Sequence, residues 1–312
     1  MFHPLVRGIR ENDHGSISKA ITIVENGQDG AQSLLTNIYP DTSKSLRIGI
    51  TGPPGAGKST ITNTLIEILL ESNKTVGVVA VDPSSPFSGG SLLGDRIRMN
   101  QYAWDDRVFV RSMGNQGDLG GLARRSQDVG DVLAASGKDY VIYETVGVGQ
   151  SEHDIVKAAD LCVVVLVPES GDEIQMMKAG LIEIADLFVI NKSDRDGANR
   201  LSSMLKNILH NFSKIDKLEP PVYNTVATER VGVSELIQGM ESHVNLMSDT
   251  GHLETRQLDR YRQRVLSLVR QDLENSFWTS EKVDLLNEMT DSIDQINKVP
   301  HAMAQELLSE SI

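Results

Sequence analysis

Gly52, Gly57, Lys58 and Ser59 stand in the spacing Gly-x-x-x-x-Gly-Lys-Ser, within Gly52-Pro53-Pro54-Gly55-Ala56-Gly57-Lys58-Ser59-Thr60. Each residue type answers a need of a bound triphosphate. Glycines let several backbone N–H groups converge on phosphate oxygens with no Cβ in the way. A helix that starts just after them adds unpaired N–H groups and a partial positive charge. Lys58 supplies a point charge for the β- and γ-phosphates, and the Ser59 hydroxyl is a hard oxygen ligand suited to Mg²⁺. The competing reading is a plain glycine turn between a strand and a helix. The apolar run before the motif and the helical pattern after it favour a nucleotide site.

Asn191-Lys192-Ser193-Asp194 directly follows the apolar run 187–190. A carboxylate at Asp194 can accept from both the N1–H and the exocyclic N2–H₂ of guanine, while the Asn191 amide can reach the N7/O6 edge. Adenine lacks that donor pair, so GTP and GDP are expected ahead of adenine nucleotides. Val226-Ala227-Thr228 ends a later strand-like run. A loop closing over the base is expected there, with the Ala227 N–H donating to O6.

Hydrolysis requires neutralised phosphate charge, a positioned water and a group that senses the γ-phosphate. Glu144-Thr145-Val146-Gly147 follows the run 140–143. Glu144 is placed to support a metal from a strand tip, and the Gly147 N–H to bond the γ-phosphate. Asp82 and Asp95 are candidates for holding Mg²⁺ or the attacking water; each is equally readable as a loop residue fixing a turn. Arg96 and Arg98 fit solvated positions better than transition-state contacts. His153 stands alone among acidic neighbours and the C-terminal histidines are scattered, so neither makes a metal site. No Ser/His/Asp spacing supports a hydrolase triad.

These groups require a scaffold that brings strand tips together. Strand-like apolar runs fall at 47–50, 75–81, 108–111, 140–143, 161–167, 187–190 and 222–226. Helical patterns alternate with them at 60–71, 119–136, 152–159, 173–184 and 198–209. Runs such as 76–81 are apolar without alternation, as strands covered on both faces are. The expected fold is α/β: a doubly wound, mostly parallel sheet with active groups at the carboxyl ends of its strands. Residues 1–44 carry two helical fragments, read as an N-terminal extension. Residues 45–245 form the nucleotide domain, and 246–312 a C-terminal helical extension. There Leu258, Tyr261, Val265, Leu268 and Leu273 make an approximate heptad stripe, suited to packing on its own domain or on a second subunit.

With 312 residues there is room for one α/β domain of about 200 residues plus extensions. A formal net charge of -13 at pH 7 argues against a nucleic-acid partner. Cys162, the single cysteine, sits in an apolar run and reads as a buried, inert thiol. No leader pattern opens the chain and no apolar run approaches ~18 residues, so a cytoplasmic protein without membrane contact is expected.

Several ordered strings resemble one family, the MeaB/ArgK-like GTPases of the metallochaperone-type P-loop group. They are Asp82-Pro83-Ser84-Ser85, Leu93-Gly94-Asp95-Arg96, Leu119-Gly120-Gly121-Leu122-Ala123 and Glu144-Thr145-Val146-Gly147, with Glu where small signalling GTPases carry Asp. Ser170-Gly171-Asp172-Glu173 and Lys178-Ala179-Gly180 continue the match. The resemblance implies a homodimeric GTPase that serves as chaperone to an adenosylcobalamin-dependent acyl-CoA mutase, typically methylmalonyl-CoA mutase. It would gate cofactor delivery and protect or rescue the mutase. By position, Lys58 and Ser59 would hold the phosphates and Mg²⁺, with Glu144, Asp82 and Asp95 around the metal. Asn191, Lys192 and Asp194 would read guanine, and residues 171–178 would match the family's mobile segment. The C-terminal stripe falls where the family dimerises. The chain departs from the family at Val226, where Ser usually precedes the Ala, and at the more polar Asn115-Gln116-Gly117-Asp118. A nickel-delivery chaperone would need His/Cys clusters that are absent. A non-hydrolysing scaffold, or an ATPase or kinase linked to amino-acid transport, is the alternative; Asp194 disfavours adenine.

Overall fold

A computed structural model describes residues 4–82, 100–102, 104–114, 119–145, 158–170, 181–212, 218–293, 296 and 298–309. The strands are β1 (Leu46–Thr51), β2 (Val76–Asp82), β3 (Val108–Gly114), β4 (Tyr140–Thr145), β5 (Leu161–Leu166), β6 (Leu187–Asn191) and β7 (Val222–Thr225). They form one 7-stranded sheet in the order β3-β2-β4-β1-β5-β6-β7, and each neighbouring pair is parallel. The chain runs from β1 out to the β3 edge, returns at β4, then crosses to the β7 edge. The central tips therefore border a crevice of the kind in which doubly wound sheets bind ligands.

Helices cover both faces of the sheet. In chain order they are α1 (Val6–Arg10), α2 (His14–Glu25), α3 (Ala31–Ile38), α4 (Lys58–Glu71), α5 (Leu119–Ala135), α6 (Leu181–Ile184), α7 (Ala198–Phe212) and α8 (Val233–Asp249). On one face Ile61, Leu65 and Leu69 of α4 and Leu236 and Met240 of α8 pack with Ile48, Ile50, Ile142 and Val163. Strand side chains alternate between faces. Val79, Val81, Val141 and Tyr143 thus meet α2, α3 and α5 on the other face through Ile17, Ile21, Leu34, Val129 and Leu133. Leu201, Leu205 and Leu209 of α7 complete that face over Val164, Phe188 and Ile190. The continuous apolar runs exist because β4, β5 and β6 are buried at every position.

The N-terminal helices are integral to this packing. Ile17, Ala20, Ile21 and Val24 recur at helical spacing and are buried. The Asp13 carboxylate caps α2 by accepting from the Ser16 N–H at 2.7 Å. The five-residue α1 was not legible, being too short to show a period. The helical patterns at 152–159 and 173–184 lie largely outside the described residues; within the second, Leu181–Ile184 is helical.

By compactness the chain divides into two units, Met1–Gln257 and Leu258–Ile312. A 26-residue helix, α9 (His252–Phe277), spans that division and buries none of its residues. The second unit also holds α10 (Ser280–Met289) and α11 (Pro300–Ser309). Within it, the buried Lys282 ammonium donates to the Leu307 carbonyl at 2.8 Å and stands 5.5 Å from the Phe277 ring centroid. One cation thereby ties the ends of α9 and α11 to α10. Among the described residues, no helix is long and apolar enough to cross a membrane.

Candidate nucleotide-binding site

The loop between β1 and α4 is held open by backbone conformations that L side chains rarely adopt. Gly52, Gly55 and Gly57 have φ of 136°, 76° and 88°. A Cβ on Gly52 would strike the Val165 carbonyl oxygen, and one on Gly57 would strike the Asn191 side-chain nitrogen. Gly52 and Gly57 therefore serve close packing as well as backbone freedom, and Gly55 backbone freedom alone. Helix α4 begins at Lys58, directing its N-terminal amides into the loop. The buried Lys58 ammonium donates to the Gly52 carbonyl at 2.6 Å and the Pro53 carbonyl at 3.2 Å, which holds the charge at the loop.

At the second residue of α4, the Ser59 hydroxyl donates to the Glu144 carboxylate at the tip of β4. Strands β1 and β4 pair directly, with Ile50 opposite Glu144, so the sheet itself delivers this carboxylate to the phosphate loop. The Thr145 hydroxyl reinforces the junction by bonding the Ile50 carbonyl at 3.3 Å. Two hard oxygen donors thus meet beside the loop, and that chemistry fits Mg²⁺. Asp82 is the last residue of β2. Asp95, Gly147 and the segment 171–178 lie outside the described residues.

Asn191 ends β6 and is buried. Its amide nitrogen donates to the Ala56 carbonyl at 3.0 Å, and its oxygen accepts from the Thr225 hydroxyl and the Ala227 N–H, both at 3.2 Å. The β6–β7 pairing brings the Asn191 oxygen alongside the Ala227 N–H, the group that the sequence directs at the base. The Lys192 ammonium donates to the Gly55 carbonyl at 2.8 Å, and its backbone has a positive φ of 56°. Val226, at the family's Ser position, is buried and exchanges backbone hydrogen bonds of 3.0 and 3.2 Å with Val231, closing the loop on itself.

One cavity joins these parts. Gly57 and Thr60 line it from the phosphate side, Asn191, Lys192 and Asp194 from the end of β6, and Val226, Ala227 and Thr228 from the loop after β7. Asp194 is exposed at the cavity wall, where a carboxylate can meet the donor edge of a base. Arg195 also lines the cavity, and its guanidinium is paired with Glu169. That hydrogen bond holds the Glu169 carboxyl below the usual carboxylate range.

Sequence reasoning missed the groups that brace the site from behind. Arg47, the second residue of β1, pairs with the buried Asp131 of α5 at 2.6 Å. Burial alone would lower the Arg47 pKa, but Tyr143, Asp131 and Asp160 together hold it above its ordinary value. An arginine inside an apolar run was a visible signal of such a partner. Arg256 of α9 makes a two-point contact with Asp186, one limb at 2.7 Å, and donates to the Asp160 carbonyl at 3.0 Å. Asp186 also accepts from the Cys162 N–H at 2.7 Å, fixing the start of β5 against β6. Burial pushes the Cys162 thiol well up, in keeping with an inert side chain.

A doubly wound parallel sheet with Gly-x-x-x-x-Gly-Lys-Ser after its central strand and Asn-Lys-x-Asp lining the same cavity defines the class of P-loop GTPases. The family described as methylmalonyl-CoA mutase-associated GTPase MeaB matches residues 17–282, and the chain belongs to it. A relative from Pyrococcus abyssi is 41% identical over 317 residues, spanning 100% of this chain and 97% of its own length. GTPase ArgK of Escherichia coli is 37% identical over 257 residues, covering 80% of this chain and 78% of its own. The crystal structure of a LAO/AO transport system kinase superposes with a TM-score of 0.73 at 26% identity, covering 97% of this chain and 95% of that one.

Proposed function

We propose that this protein binds and hydrolyses GTP with Mg²⁺ as the chaperone of an adenosylcobalamin-dependent acyl-CoA mutase of the methylmalonyl-CoA mutase type. It gates cofactor loading and protects or reactivates the mutase in the cytoplasm. The observation that carries the nucleotide reading is the single cavity shared by Gly57, Thr60, Asp194 and Ala227. A guanine accepted at Asp194 would have its phosphates run toward the loop. The mutase reading rests on the family to which the chain belongs.

Amides of Gly55 to Thr60 and the Lys58 ammonium would bind the phosphates. Ser59 and Glu144, with Asp82 and Asp95, would hold Mg²⁺, which neutralises phosphate charge when bound. Phosphate oxygens would supply further hard ligands to the ion. Hydrolysis joins a water oxygen to the γ-phosphorus and breaks its bond to the β,γ-bridging oxygen, releasing GDP and phosphate. Gly147 would sense the γ-phosphate. Asn191 keeps one amide hydrogen on Ala56 and offers the other to N7; Ala227 shares its N–H between Asn191 and O6.

Residues 246–312 would serve as a homodimerisation extension. Leu258, Tyr261 and Leu273 on α9 are 54%, 54% and 64% exposed, and a second copy would cover that apolar face.

Phosphate release with GTP and with ATP, each with and without a purified cobalamin-dependent mutase, tests the proposal. Selective GTP turnover accelerated by the mutase is expected. Equal use of ATP would overturn the guanine reading, and indifference to every such mutase would overturn the chaperone reading.

A further inference from the structure

Thr64 lies on α4, two turns beyond the phosphate loop, in no motif that pointed to the site. It is buried, and its hydroxyl lies 3.0 Å from both the Thr60 carbonyl and the Ala227 carbonyl. The first contact is within the helix. The second reaches across to the loop after β7, 163 residues away in the chain.

The two peptide groups flanking Ala227 are thus held from opposite sides. Asn191 accepts the N–H of the peptide before Ala227 at 3.2 Å. Thr64 approaches the carbonyl of the peptide after it, which also accepts from the Arg230 N–H at 3.2 Å. Because a peptide group is planar, fixing that carbonyl also fixes the direction of the Thr228 N–H. Ala227 and Thr228 both line the cavity. Donors aimed in advance discriminate better than donors that must be ordered on binding.

We infer that Thr64 is a positioning residue for guanine specificity. From the phosphate-binding helix, its hydroxyl orients the Ala227–Thr228 backbone so that its amides meet the oxygen at position 6 of the base. The inference rests on the guanine reading above and adds the residue that enforces it. Thr64 touches neither base nor phosphate in this role.

The test compares GTP with 6-thioguanosine triphosphate, which keeps N1–H and N2–H₂ for Asp194 but carries sulfur, a weak acceptor, at position 6. Dissociation constants for both are measured by calorimetry on wild type, Thr64→Val and Thr64→Ser, with melting curves on the nucleotide-free proteins. Thr64→Val keeps the shape and removes the hydroxyl. Its GTP affinity should fall about three- to tenfold, the scale of one net hydrogen bond. Affinity for the thio analogue should change by less than about twofold, so the preference for oxygen over sulfur narrows. Thr64→Ser should restore the wild-type ratio. Equal losses for both nucleotides, or no loss for either, would overturn the role of Thr64 and leave the guanine reading intact. Wild type that binds ATP as tightly as GTP would overturn both.

Discussion

Asn191 and Ala56, 135 residues apart in the chain, are joined by a 3.0 Å hydrogen bond from the Asn191 amide to the Ala56 carbonyl. The strand that carries the base-reading segment is therefore fastened directly to the phosphate loop. The same side chain also holds Thr225 and the Ala227 N–H, so three segments of the site share one buried amide. Lys192 adds a second fastening, to Gly55.

Asn191→Ala should accordingly damage binding and stability together. It leaves the buried Ala56 carbonyl and Ala227 N–H without this partner, at a cost of about 1–3 kcal/mol each where water does not replace it. A lower melting temperature without nucleotide and a more than tenfold loss of GTP affinity are expected, measured by calorimetry and thermal melts.

Gly52→Ala should be the most disruptive small change in the loop. The new Cβ would face the Val165 carbonyl of the neighbouring strand, and the residue would be required to hold φ of 136°. Backbone cannot retreat there without parting β1 from β5. Loss of nucleotide binding with a marked fall in soluble yield is expected. Gly55→Ala, with nothing near its Cβ, should cost only the conformational strain of about 1–2 kcal/mol.

Lys138 makes a pH-dependent contribution to stability. Burial pushes its pKa down from 10.5 to about 8, against the opposing pull of Asp105 and Asp106. Its ammonium donates to the Asp106 carbonyl at 2.9 Å. Because the folded pKa lies below the unfolded one, the unfolded chain binds more protons between about pH 8 and 10.5. The Lys138 contribution to stability therefore rises with pH through that window and is flat below it. Urea melts at pH 7.5 and 9.5 should show wild type gaining on Lys138→Met at the higher pH; a constant difference would contradict the assignment.

Arg256→Met should weaken the base of the sheet without touching the cavity. The substitution leaves Asp186, with side-chain exposure of 10%, without its two-point partner. Partial exposure moderates the loss to about 2 kcal/mol. Chemical denaturation should register that loss, while the GTP-to-ATP preference should stay at the wild-type value.

Val265→Glu combined with Leu268→Glu tests the exposed face of α9. Both positions are exposed in the single chain, so the helix should still fold. Light scattering should show a homodimer for wild type and a monomer for the double variant. A wild-type monomer would remove the dimer from the proposal.

The phosphate loop, the guanine tetrapeptide and the strand–helix alternation were legible in the chain because each is local. A glycine spacing, an apolar run or a helical period is complete within about fifteen residues, and the interior of a doubly wound sheet imposes continuous apolarity on its strands. Partners distant in the chain were not legible. The order β4-β1-β5-β6-β7 decides that Glu144 meets Ser59, that Asn191 reaches Ala56, and that the carbonyl of Ala227 faces Thr64. Thr64 and Arg256 look like ordinary polar helix residues until packing supplies their partners. Strand pairing and side-chain contact are properties of the closed fold, so the linear pattern named the chemical groups and the tertiary structure chose which of them touch.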